Sequence, residues 1–131
     1  MNENRVPMRL VLYFLLFLVT APAWAEWVKV SEVVSSTAYI DPATIQVNGN
    51  MRRVWELQEL KERDKNGEIS RRALTEYDCK EGRVRLLSFS FHSGPMATGD
   101  TLVSNYDPIQ WIYIAPASSF ETRFKLVCAV K

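Results

Sequence analysis

Cys79 and Cys128 are the only cysteines in this 131-residue chain, and the compartment in which the chain folds decides whether they can be joined. The N-terminus bears on that point. Arg5 and Arg9 give a positive start, residues 10–19 form an unbroken apolar run, and Thr20-Ala21-Pro22 leads into the small-x-small site Ala23-Trp24-Ala25. This is the anatomy of a cleaved secretory leader. The run is shorter than the about 20 residues a permanent span needs, and the good cleavage site disfavours an anchor that is never cut. Cleavage is expected between Ala25 and Glu26, leaving residues 1–25 as leader and residues 26–131 as one domain. No cysteine stands at the cut, so an N-terminal lipid is not expected. The mature chain is expected in the periplasm or secreted, with no stable membrane insertion.

In an oxidising compartment two cysteines in a small domain read as a disulfide, and with only two there is one intramolecular connectivity. Closing a loop of this length stabilises a fold by about 4 kcal/mol in the chain-entropy treatment. A redox-active pair or a metal site is disfavoured, because no C-x-x-C spacing occurs and His92 is the sole histidine.

Taking Arg5, Arg9 and Glu3 away from the 16 basic and 15 acidic residues leaves 14 of each. A general binder of nucleic acid or anionic membrane carries a basic excess, so neither partner is expected. The local pairs Arg52-Arg53 and Arg71-Arg72 read as solvated sheet edges.

After the cut the chain reads as short strands between turns. Candidates are Trp27-Val28-Lys29-Val30, Thr37-Ala38-Tyr39-Ile40 and Thr44-Ile45-Gln46-Val47, with Asp41-Pro42 as a break and Asn48-Gly49 as a hairpin signal. Residues 53–63 fit helix or strand. A four-residue turn at Asp64-Lys65-Asn66-Gly67 favours a long hairpin, with Arg63 facing Glu68, Glu59 facing Arg72 and Leu57 facing Leu74. Further strands are expected at 83–91, 102–104 and 111–114. At the C-terminus, Ser118 and Glu121 have capping-box spacing, and Phe120, Phe124, Val127 and Cys128 form one helical face. A Cys79–Cys128 bond would staple that helix to the sheet. The expected fold is α+β: a single antiparallel sheet of about six strands with one C-terminal helix packed on it.

No catalytic set emerges. His92 is followed by Ser93-Gly94-Pro95 and reads as a polar loop residue. Asp41 and Asp107 precede prolines and read as turn residues, and the aspartates make no calcium loop. No glycine-rich phosphate loop occurs. No cofactor and no enzyme activity are expected. One helix on one sheet leaves a second face bare, where some tryptophans and tyrosines would serve as partner anchors.

The domain resembles the surface-adhesin protein E-like family from about Trp27 to Cys128. The resemblance is carried by Tyr39-Ile40-Asp41-Pro42, Val54-Trp55 and Glu76-Tyr77-Asp78-Cys79. It continues through Arg83-Val84-Arg85-Leu86-Leu87-Ser88, Ser93-Gly94, Gly99, Trp111, Ala115-Pro116-Ala117-Ser118 and Cys128. It implies the same sheet-and-helix fold, with Cys79 and Cys128 as the tie. It also implies a non-enzymatic binding domain for host extracellular-matrix or plasma proteins. The adhesin that names the family is lipid-anchored, whereas this chain has no cysteine at its cut. The alternative is a periplasmic carrier of a small ligand such as haem in a groove on the open sheet face. Its only obvious axial ligands are His92 with Met51 or Met96. The ligand-binding residues are not identified by sequence, and the oligomeric state is left open, a dimer included.

Overall fold

A computed structural model describes residues 25–131. The expected leader lies outside the described residues, apart from Ala25. Eight strands form one antiparallel sheet: β1 (Val28–Glu32), β2 (Ser36–Ile40), β3 (Gln46–Asn48), β4 (Met51–Leu60), β5 (Ser70–Asp78), β6 (Arg83–His92), β7 (Thr101–Asn105) and β8 (Ile112–Tyr113). The helix α1 (Ser119–Cys128) follows. The through-path β1-β2-β4-β5-β6-β7 has six strands, while β3 pairs with β4 and β8 with β6. The sheet is thus eight-stranded rather than about six, because these two short segments extend a row beyond β2 and β7.

Turn chemistry sets the hairpins where the sequence placed them. The β3–β4 turn puts its positive φ on Gly49, which has no Cβ to clash. Between β5 and β6, Asp78 accepts from the amides of Lys80 and Glu81 through Oδ1 and from Arg83 Nε through Oδ2 at 2.9 Å. The strand expected from Thr44 begins two residues later. Asp41 Oδ1 accepts from Ala43 N, and Pro42–Thr44 close a short 3-10 turn instead.

The long hairpin forms with a register two residues from the expected one. Glu59 faces Ser70, Leu57 faces Arg72 and Trp55 faces Leu74. The turn at Asp64–Gly67 is present, with Gly67 N donating to Asp64 O. Residues 61–63 leave the ladder before it. Lys61 N donates to Ser35 O in the β1–β2 connection, and Arg63 NH1 donates to Gly67 O and Ser93 O. These contacts with distant segments absorb the extra residues. A shift of two keeps every side chain on its face.

Helix α1 packs where the even positions of β4 and the odd positions of β5 meet. Ile40, Val54, Tyr77, Val84 and Val127 form the core, with Phe120, Phe124 and Cys128 against it. Ser118 caps the helix by accepting from Glu121 N, and Glu121 reaches back to Ala117 N. Cys79 and Cys128 are bonded. A second tie comes from Arg52, whose Nε donates to Val130 O at 2.9 Å. The expectation of solvated edges at the two arginine pairs is therefore corrected. β4 and β5 are interior strands, and Arg52 is buried.

Candidate binding surfaces on the two faces of the sheet

Alternation along β4, β5 and β6 sends Arg53, Trp55, Arg72, Glu76, Arg83 and Arg85 to the face opposite α1. Arg53, Glu76 and Arg85 are cross-strand neighbours in one row. Arg53 Nε meets Glu76 Oε2 at 2.7 Å, and Arg85 NH2 meets Glu76 Oε1 at 2.7 Å. Trp111, just before β8, lies beneath two guanidiniums, 4.7 Å from Arg83 and 4.5 Å from Arg85. Arg72 lies 4.1 Å over the Trp55 ring. Stacked cations of this kind are worth about 0.5–1 kcal/mol each at exposed sites, and the stacking presents flat guanidinium edges to solvent.

The donors left over matter most. Arg53 and Arg83 spend only Nε on carboxylates, and among the described residues the terminal nitrogens of each have no hydrogen-bond partner. Arg72 makes no hydrogen bond or ion pair among the described residues, and it is exposed. Three guanidinium forks on one rigid face suit bidentate contact with carboxylate, sulfate or phosphate oxygens. Sequence reasoning named the arginine pairs but missed Arg83 and Arg85 as members. Their signal was the strand alternation in 83–91, read together with the tyrosine that points the other way.

Glu76 and Asp78 hold this face together. Burial pushes the Glu76 carboxyl up, but Arg53 and Arg85 outweigh it and hold the group below the ordinary glutamate value of 4.5. Burial likewise pushes Asp78 up, and the Glu81 amide, Arg83 and the Lys80 amide overcome it. A lowered folded-state value contributes stability that is complete above the unfolded value and is lost as pH falls through the folded one. Urea unfolding midpoints are therefore expected to fall between pH 5 and pH 3, and Glu76→Gln to flatten that slope. An unchanged slope in the variant would show that Glu76 does not anchor the row.

The other face carries a groove beside α1, lined by Ala73, Phe89, Phe91 and Phe120 among others, with a volume of about 300 Å³. None of the residues assigned as haem ligands lines it. His92 ends β6 and is buried, bonded through Nε2 to Ser90 Oγ at 2.7 Å, rather than lying in a loop. Burial and the nearby Arg72 charge lower its pKa. Met51 starts β4, at the opposite end of the ladder from His92. At about 3.3 Å per residue the two are roughly 25–30 Å apart, so they cannot share one metal. Met96 sits in the short turn Pro95–Ala97, its amide donating to Glu59. Among the described residues no cluster of three or more His, Cys, Asp or Glu side chains could hold a metal ion. No described helix is long and apolar enough to cross a membrane.

The architecture has known counterparts. A family model described as surface-adhesin protein E matches residues 27–129. The chain is similar to the structure of Haemophilus influenzae protein E in crystal form II, with a TM-score of 0.64 at 14% identity, covering 81% of this chain and 89% of that one. It is also similar to the Se-Met form of Haemophilus influenzae protein E, with a TM-score of 0.62 at 12% identity, covering 82% and 88%. A third similar structure, protein E from non-typeable Haemophilus influenzae, gives a TM-score of 0.54 at 13% identity, covering 85% and 82%. No curated protein sequence matches the chain. The segments that carry the sequence resemblance have structural work to do. Tyr77 fills the core, Asp78 closes a turn, Cys79 and Cys128 make the tie, Trp111 supports two arginines and Ser118 caps the helix.

Proposed function

The chain belongs to the surface-adhesin protein E family, and from that premise we propose that it is an exported, non-catalytic binding domain. Its docking surface is the arginine–tryptophan face, and its partners are extracellular-matrix or plasma proteins that offer acidic side chains. The observation that carries this reading is the set of unspent guanidinium donors on Arg53, Arg72 and Arg83. The leader at residues 1–25, cut before Glu26, delivers the domain to the periplasm or beyond without a lipid anchor.

The reading predicts saturable, salt-sensitive binding to one or more members of a matrix and plasma protein panel, measured by biolayer interferometry at micromolar concentrations. The double change Arg53→Gln with Arg72→Gln is expected to weaken that binding by about tenfold or more, since each charged contact at an interface is worth on the order of 1 kcal/mol or more. Lys29→Gln, on the edge strand β1, serves as the control and is expected to leave it unchanged. No binding to any panel member would remove the adhesive role. Fractionation of cells carrying a tagged protein separates periplasmic retention from surface exposure, and retention would argue against direct host contact.

A further inference from the structure

We propose that β7 is an acceptor edge that takes one further strand from another polypeptide, an amphipathic extended segment with apolar side chains at alternate positions. The edge lies at the rim of the sheet and uses none of the arginines, so the proposal stands apart from the docking reading above.

The two edges of the sheet differ in how they are closed. A free edge presents a row of unpaired amides and carbonyls, and folds blunt such rows with charge, bulges or a covering element. β1 has all three. Lys29 pairs with Glu32 at 3.0 Å, the register is bulged between Lys29 and Ser31, and Ser31 Oγ bonds to Ser119 Oγ of α1 at 3.0 Å. β7 pairs only with β6. Its one irregularity is the extra residue at Leu102, where the register shifts between Phe91 and His92. From Val103 to Asn105 the ladder is regular, and the main-chain groups turned away from β6 have no partner among the described residues. No charged residue stands between Asp100 and Asp107. Leu102 and Val103 are each 42% exposed, and Tyr106 just beyond them is 80% exposed.

The backbone row decides the class of occupant. Exposed apolar side chains alone would suit a lipid surface, but open sheet edges do not enter hydrocarbon, where their donors and acceptors go unpaired. A strand supplies both the ladder bonds and the side-chain contacts. The pleat of β7 then sets the pattern of that strand, because successive side chains point to opposite faces. Val103 and Asn105 stand on the α1 face, opposite Phe91 and Phe89, whose ring centres lie 5.3 Å apart. Ser104 stands on the other face, opposite Ser90. A strand laid on β7 is therefore matched by apolar residues toward the phenylalanines and small hydroxyl residues toward Ser104. Nothing along the edge selects for charge.

The test is fluorescence anisotropy of the disulfide-bonded protein with a labelled peptide of alternating threonine and valine, closed by a lysine at each end for solubility. Saturable binding is expected, little changed by salt, in contrast to the salt-sensitive docking on the arginine face. The same peptide with its threonine and valine amides N-methylated keeps its side chains and loses its ladder donors, and is expected to bind at least about tenfold more weakly. Val103→Lys, which places a charge on the edge, is expected to weaken binding by about tenfold or more. Val28→Lys, on the opposite edge, is expected to leave it unchanged. Circular dichroism checks that Val103→Lys is folded, and Leu102→Lys reads the same edge if it is not. The proposal is overturned by any of three results: no saturable binding, equal binding of the N-methylated peptide, or binding indifferent to the β7 variants. A dimer seen by light scattering and dissolved by Val103→Lys would equally overturn it, by showing that a second copy covers β7.

Discussion

Replacing Cys79 and Cys128 together with alanine is expected to remove about 4 kcal/mol of stability. The bond joins residues 49 apart in sequence, and freeing a loop of that length restores conformational freedom chiefly to the unfolded chain. Total stability of such domains is about 5–15 kcal/mol, so the loss is a large share. The helix suffers first. With ten residues it is shorter than the about 12–15 that an isolated helix needs in water. What remains to hold it is the burial of Val127, the tilted contact of Phe124 with Tyr77 at 6.3 Å, the Arg123–Glu56 ion pair at 2.8 Å and the Arg52 bond to Val130 O. Thermal unfolding followed by circular dichroism should show the midpoint falling by roughly 15 °C or more. Wild-type protein under reducing conditions should behave like the variant. A loss below about 0.5 kcal/mol would mean that packing alone fixes the helix, since that is within the range of ordinary surface changes.

Glu56→Ala is expected to cost about 3–5 kcal/mol, the range for breaking a buried ion pair by removing one member. Glu56 is 3% exposed and accepts from Thr75 Oγ1 at 3.0 Å, from Tyr77 OH and from Arg123 NH1 at 2.8 Å. Burial and the adjacent Glu56 charge push the Tyr77 phenol well up, so it stays protonated and donates. Loss of the carboxylate strands the Arg123 cation and the Tyr77 hydroxyl inside the molecule. The companion change Glu56→Leu with Arg123→Met removes both charges and should recover most of the loss, because the penalty comes from the orphaned charge. Urea unfolding of the two single variants and the double measures the coupling. Additive effects would show that water reaches Arg123 and that the pair does not fix the N-terminal half of α1.

Much of the fold was legible because its signals are local. Asn48-Gly49 and Asp41-Pro42 placed turns, since a positive φ or a proline ring acts within a few residues. Ser118 and Glu121 announced the helix start, and the spacing of Phe120, Phe124 and Val127 announced its buried side. Where the reading departed from the structure, a distant segment intervened. The hairpin register was displaced when residues 61–63 bonded to Ser35 and Ser93. His92 stayed in the ladder opposite Ser70 instead of entering a loop, and the arginine pairs landed in interior strands.

The amino-acid sequence by itself determined the strand and turn order, the capped C-terminal helix and the single covalent tie, because caps, turns and side-chain periodicity are set by neighbours along the chain. Tertiary structure alone decided which face each charge and ring would share. It drew Arg53, Arg72, Arg83 and Arg85 onto one surface with Trp55 and Trp111, and it buried Glu56 on β4 and Glu68 just before β5, each beside an arginine partner. The reason is that a face is defined only when the helix settles on the other one, and the partners that make each placement tolerable lie on separate strands.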